Sequence, residues 1–478
     1  MRASSRFAVF TIALALTACA VNPVTGDRQL ALMSEGQEIE IGRQVAVSAE
    51  QQFGLVDDDA LQEYVHRLGT QLAQASERPD LPWTFRVADS STPNAFAAPG
   101  GYIFITRGLL TLLRNEAELV SILGHEIGHV TARHSVAMMS RAQLAQLGLG
   151  IGSILRPEEA ERFGSLAAGG LQLLFLSYGR DAERQADDLG YRYALEQGYD
   201  VREMVNVFAS LQKSAELAGQ SPVPTWLASH PYPAERIERI ERELVNLPPT
   251  ATPRRIGEAD YLARIDGLTY GEDPREGFFE ANRFLHPELA FRVDFPQGWR
   301  MQNMRQAVVA GSPKEDALIQ LMLVPGTPKE AADAFFGQQG VSAGQVGSQQ
   351  INGLPAIIGG FEVQTEQSRL GGLVTLVSLE GRTYRILAFT PVKQRADYER
   401  SFRATAYSFA RLTNPEALAR QPQRISIVRL PRAMTVVEFN TAYPSAIPIE
   451  ELVLINQMDG PQSVMPTGFK AKRIIGEG

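Results

Sequence analysis

Cysteine is almost missing. A single one, Cys19, in 478 residues excludes an intrachain disulfide and any zinc site built on several cysteines. Histidine is scarce too. His66, His125, His129, His134, His230 and His286 are the full set, so imidazole chemistry must come from these six positions. Positive charge is not in excess: the formal net charge is −8, which argues against nucleic acid as the main partner. Beyond the N-terminus, no apolar run is long enough to span a bilayer. The Leu/Gly-rich stretches near 143–155 and 165–176 are short and interrupted by glycine and polar residues. What is present is an ordinary globular mixture, 44% hydrophobic and 21% charged, which excludes disorder and collagen-like repeats. At ~150 residues per domain, the length suggests about three domains.

The N-terminus reads as a targeting segment. Arg2 and Arg6 precede an apolar run from Phe7 to Ala18, too short for a mature transmembrane helix. The run ends Leu16-Thr17-Ala18-Cys19, which resembles the lipobox of bacterial lipoproteins. That resemblance implies a signal peptide over 1–18 and lipidation of Cys19. Several acyl chains, each burying CH₂ groups worth ~0.8 kcal/mol, give stable anchoring. Ala20 follows where an aspartate would direct inner-membrane retention, so the implied site is the periplasmic face of the outer membrane.

Further along, residues 34–77 show helical periodicity, and 83–88 and 102–106 read as strands around the turn signal of 94–101. A long helix is predicted from Asn115, where Asn115 and Glu118 have capping-box spacing. Further helices are predicted near 157–175, 179–197, 202–218 and 234–246, and 247–255 (LPPTATPRR) reads as a linker. From about 285 to 411 strand-like runs at 289–295, 319–324, 356–363, 372–379 and 383–389 alternate with turns. A polar stretch leads to a last module at 424–478. The expected class is α+β: a mostly helical domain with a small sheet over 19–284, a sandwich-like domain over 285–412, and the small final module.

The string carrying chemistry is His125-Glu126-Ile127-Gly128-His129. On a helix, residues four apart share a face, so both imidazoles can bind one Zn²⁺. Glu126 is rotated ~100° from His125, within reach of a water activated at the metal. HExxH thus supplies two ligands and a general base, and arises by chance in roughly half a per cent of such chains. A third ligand is required. His134 is tempting but, on a continuous helix, lies ~140° from His129 and points elsewhere. Glu183 and Asp187, four apart on a predicted helix, serve better. Glu183 can ligate, and Asp187 can accept the free ring N–H of a ligand histidine.

This combination resembles the HtpX/BepA-type gluzincin family of zinc metalloproteases. The family's SRxxExxADxxG-like segment reads here Gly179-Arg180-Asp181-Ala182-Glu183 and then Arg184-Gln185-Ala186-Asp187-Asp188-Leu189-Gly190, with Gly179 replacing serine. Asn94-Ala95-Phe96-Ala97 with Pro99-Gly100-Gly101, and Ser229-His230-Pro231 with Arg236, also match. Asn22-Pro23-Val24-Thr25-Gly26 is similar to the periplasmic branch. The resemblance covers roughly 20–285. It implies a gluzincin protease fold holding one Zn²⁺ per chain through His125, His129 and Glu183. Catalysis would rest on Glu126 as base, with His230 and Arg236 near the metal stabilising negative charge.

The resemblance also implies polypeptide substrates, whose backbone would pair with the strand at 94–98. The lipid anchor would attach the chain to the membrane, and peptidoglycan or outer-membrane assembly factors are further candidate partners. Residues 285–411 are weakly similar to PsbP-like sandwiches. Residues 424–476 are weakly similar to a LysM unit, with Ala433-Met434-Thr435 replacing its usual Gly-Asp-Thr turn. Three functions stay open: an endopeptidase for misfolded or misassembled envelope proteins, an envelope scaffold with a gated zinc site, and a zinc exopeptidase.

Overall fold

The computed structural model describes residues 19–146, 177–218, 225–231, 233–247, 254–364 and 368–476. Segment 1–18, the helix predicted at 157–175 and most of the 247–255 linker lie outside the described residues. Within them, no helix is long and apolar enough to cross a membrane. The architecture is mixed α+β and forms two compact units. One comprises residues up to Gly271 together with Arg424–Ile475, and the other is Glu272–Gln423.

The first unit opens with a small antiparallel pair, β1 (Cys19–Val21) and β2 (Arg28–Leu30). In the turn between them Asn22 Oδ1 accepts the Val24 N–H at 2.9 Å. Helix α1 (Glu35–Phe53) starts at a capping box formed by Ser34 and Gln37, and Asp58 caps α2 (Asp59–Gln74). Strands β3 (Thr84–Ala88), β4 (Ala95–Ala98) and β5 (Tyr102–Thr106) form a sheet in the order β3-β5-β4. β5 runs parallel to β3 and antiparallel to β4, which is an edge strand.

Helix α3 (Arg107–Leu112) then leads into α4 (Glu116–Thr131), which carries the HExxH string. Asn115 Oδ1 caps α4 by accepting the Glu118 N–H at 2.9 Å, while the Glu118 carboxylate reaches one residue further back to the Arg114 N–H at 2.7 Å. Every residue of α4 is buried, so the helix runs through the core and its polar side chains must find partners there. Around it lie α5 (His134–Gln146), α6 (Arg180–Glu196), α7 (Glu203–Ala218), α8 (Thr225–Ser229), α9 (Pro233–Val245) and α10 (Glu258–Ile265).

Residues 424–475 fold back into this same unit. Strands Arg424–Arg429 and Lys470–Ile475 pair antiparallel, with helices Val436–Ala442 and Ile449–Ile455 between them. Ile425, Phe439, Leu452 and Ile474 share one apolar core with Leu119 and Leu123 of α4. The buried Lys472 ammonium donates to the carbonyls of Thr111 and Leu113 at 2.7 and 2.6 Å, satisfying orphan acceptors at the C-terminal end of α3.

The second unit holds a seven-stranded antiparallel sheet. Its order is Val341–Ile351, Leu354–Gln364, Arg369–Leu379, Arg382–Pro391, Leu318–Val324, Ala307–Gly311, Arg300–Met304. Helix Arg395–Ser408 contributes Phe402 to a core with Phe291, Ile319 and Tyr384. In the neighbouring four-stranded sheet, the His286 ring lies 5.3 Å from that of Phe291, and its Nδ1 accepts the Leu289 N–H at 3.2 Å.

Candidate metal centre

The site is built where α4 and α6 cross. Small residues permit the approach. A Cβ on Gly190 would sit 2.8 Å from the His125 backbone nitrogen, and one on Gly124 would sit 3.0 Å from the Gly190 Cα. Gly128 faces Ala186 in the same way, at 3.1 Å. The crossing carries Glu183 and Asp187 of α6 up to the two histidines of α4. His230, just past α8, completes the group. Ligand atoms of His125, His129, Glu183 and His230 all lie within 4.8 Å of one another.

His125 Nε2 and His129 Nε2 are 3.0 Å apart. Glu183 Oε1 lies 3.4 Å from His129 Nε2 and 3.1 Å from His230 Nδ1. His230 Nδ1 is 3.2 Å from His125 Nε2, while its other nitrogen faces Glu126 Oε1 at 3.5 Å. All five side chains are at most 2% exposed.

Protonation follows from the outer partners. His125 Nδ1 meets Asp187 Oδ1 at 3.0 Å. A carboxylate only accepts, so His125 carries its proton on Nδ1 and turns a lone pair inward from Nε2. Burial pushes the Asp187 carboxyl up, but the Arg236 charge and the His125 contact outweigh this and hold it below the usual carboxylate range. Burial acts on Glu183 in the same direction. The charges of His230 and Arg236 prevail there, and the group stays an anion. Two inward lone pairs and a carboxylate at such separations, with no proton to share between them, fit a divalent cation. Glu126 Oε1, buried beside them without a hydrogen bond, is free to take a proton.

Arg236 is held from behind. It donates to Asp187 Oδ1 at 2.6 Å and Oδ2 at 3.0 Å, and its Nη1 lies 3.0 Å from Glu183 Oε2. Its guanidinium lies 4.2 Å from the Phe208 ring centroid and 4.9 Å from that of Trp226. Trp226 also stacks on His230 at 4.9 Å. Tyr178 stacks on His129, with centroids 3.9 Å apart. No sequence motif singled out either aromatic ring; of the three glycines, Gly190 closes the ExxADxxG-like segment, and Gly124-x-x-x-Gly128 is a small-residue spacing that signals close helix packing.

The expectation for His134 is corrected. α4 does not continue past Thr131: Arg133 has φ +58° and a new helix starts at His134. The break swings His134 back, so that its Nδ1 lies 2.9 Å from His129 Nδ1. Cys19 opens β1, far along the chain from these residues.

Residues 59–244 match the model of peptidase family M48. The "Putative beta-barrel assembly-enhancing protease" of Vibrio cholerae is 32% identical over 45% of this chain and 46% of that protein. The "Beta-barrel assembly-enhancing protease" of Yersinia pestis is 30% identical over 52% of each. Human "Metalloendopeptidase OMA1, mitochondrial" is 26% identical, again over 52% of each. The chain thus spans about half the length of the curated relatives it matches. The solution structure of cyanobacterial PsbP from Synechocystis aligns with 28% of this chain and 94% of its own, at 15% identity and a TM-score of 0.24.

Proposed function

We propose that this protein is a zinc-dependent endopeptidase of the bacterial cell envelope, anchored through a lipid at Cys19. It would cleave misfolded or misassembled envelope polypeptides. One observation carries the reading: two histidine lone pairs and the Glu183 carboxylate converge on one point, with the Glu126 carboxylate alongside. Two imidazoles and a carboxylate suit Zn²⁺, and the donor set contains no sulfur. When bound, the ion supplies a Lewis acid and draws the pKa of water toward ~7. Glu126 takes the water proton and returns it to the leaving amine. Asp187, held by Arg236, fixes the His125 ring. In this arrangement Arg236 acts through Asp187 and Glu183 more directly than on substrate.

The His230 ring nitrogen stands within the same group of side chains, and β4 is buried along its length. Turnover therefore includes an opening step, in which His230 withdraws and an extended substrate pairs with the outer edge of β4. The same burial favours the second reading, a scaffold whose zinc site stays shut. The names of the bacterial relatives support an envelope setting, and outer-membrane assembly factors remain the favoured protein partners. Glycan binding by the LysM-like residues 424–478 is a lesser element of the proposal.

Metal analysis and casein digestion of the full chain decide between the two readings. Wild type should cleave casein. Glu126→Gln should keep zinc and lose at least about 100-fold in rate, the scale of a general base. Substantial turnover by Glu126→Gln would refute the base assignment, and an inert wild type with bound zinc would favour the scaffold. Short terminal products instead of internal fragments would indicate an exopeptidase.

A further inference from the structure

The two α4 histidines are secured by unlike partners. Behind His125 stands an anion, Asp187. Behind His129, among the described residues, stands no carboxylate. Its Nδ1 faces the Nδ1 of His134 at 2.9 Å, and the far nitrogen of His134, Nε2, faces Gln185 Oε1 at 2.9 Å. An amide oxygen only accepts, so His134 Nε2 carries the proton and its Nδ1 presents a lone pair. His129 Nδ1 must then be the donor to it, which leaves the His129 Nε2 lone pair directed inward at Glu183 and His125.

We infer that His134 and Gln185 form a neutral proton-locked relay that sets the tautomer and ring orientation of His129. His134 is thus a positioning residue for the metal centre. This inference rests on the metal reading above.

The backbone is arranged to deliver this contact. A left-handed arginine is uncommon and strained, so its surroundings must impose it. Arg133 Nε donates to Glu38 Oε2 at 3.0 Å, and its Nη2 to the Met33 carbonyl at 3.3 Å. Glu38, 1% exposed, is also gripped by Arg78, which donates to the Val130 carbonyl at 3.0 Å. These contacts fix the turn between α4 and α5. Without the turn, His134 would lie on another face of the helix. From the other side Tyr178 stacks on His129, and its hydroxyl is 2.8 Å from Ser135 Oγ, the residue after His134. The ring of His129 is thereby restrained in its plane by Tyr178 and in its rotation by His134.

The test is zinc affinity of the purified full chain, read by competition with a chromogenic chelator, together with the visible spectrum of the Co²⁺-substituted protein. His134→Phe keeps the ring volume and removes the acceptor. It should weaken zinc binding by about 10–100-fold, as loss of an outer partner does elsewhere, and alter the Co²⁺ bands. His134→Gln can accept from His129 and donate to Gln185, and should recover most of the affinity. Gln185→Leu breaks the far end and should give a smaller loss, which reads the relay even if His134→Phe does not fold. Zinc binding by His134→Phe equal to wild type, or the same loss in His134→Gln as in His134→Phe, would overturn the relay. A wild-type chain that binds no zinc would instead sink the metal reading itself.

Discussion

At the residue scale, each polar side chain of the centre has its direction set by a second one. Asp187 accepts from His125, and Arg236 grips Asp187 from behind with two donors in one plane. Asp187→Ala should therefore lower zinc affinity by about 10–100-fold while leaving Glu126 in place, checked by chelator competition. The spacings of His125 with His129 and of Glu183 with Asp187 were legible in the sequence because one helical turn separates each pair, and helix geometry then fixes the shared face, with Glu126 adjacent to His125. His134 was not. Its position depends on Arg133 adopting φ +58°, and arginine carries none of the glycine or asparagine preference that marks such a turn. Tyr178 and Trp226 were equally hidden, since their stacking on His129 and His230 arises only once distant segments meet.

At the element scale, the α4–α6 crossing decides whether a centre exists. Gly190→Ala would place a Cβ 2.8 Å from the His125 nitrogen, so the helices must part. We expect a stability loss of about 1–3 kcal/mol, typical of overpacking, and weaker zinc binding, measured by denaturant unfolding and chelator competition. A variant that matched wild type in both would mean the approach is not critical. Strands behave differently. All five strand-like runs read between 289 and 389 fall on observed strands, because short apolar runs bounded by turn residues favour the sheet even where, as over Arg369–Leu379, both faces are buried.

Within that unit His286 makes a pH-dependent contribution. Burial holds its imidazolium down, to about 4, and the neutral ring accepts the Leu289 N–H. The unfolded chain titrates nearer ~6.5, so between these values it binds a proton that the folded state refuses. The stabilisation is complete above the unfolded value and falls as pH drops through the window. Protection factors for amide exchange in strands Arg283–His286 and Phe291–Asp294, taken against the intrinsic rate at each pH, should fall on acidification from about pH 7 to about pH 4.5, and less so in His286→Gln. Equal acid sensitivity in both proteins would contradict the assignment.

At the scale of the whole molecule, the chain leaves its first unit at Glu272 and returns to it at Arg424. Composition marked the change of character near 285 and the polar stretch before 424. It carried no sign that 424–475 packs back against α3 and α4, because that pairing joins segments some three hundred residues apart. Lys472 on the Thr111 and Leu113 carbonyls, and Ile425 and Phe439 in the shared core, make the last module part of the HExxH unit. Deleting 424–478 exposes that core and leaves two buried carbonyls unpaired. The product should be insoluble or lose cooperative unfolding, where an independent appendage would be dispensable; a well-folded, zinc-binding truncation would contradict this.

The proposed centre joins a carboxylate from α6 to two imidazoles of α4 around one ion. Zinc content per chain, measured by mass spectrometry on wild type and Glu183→Ala after dialysis against a weak chelator, tests this most directly. We predict about one zinc per wild-type chain and little in the variant, with the fold retained. Equal zinc in both proteins would contradict the account.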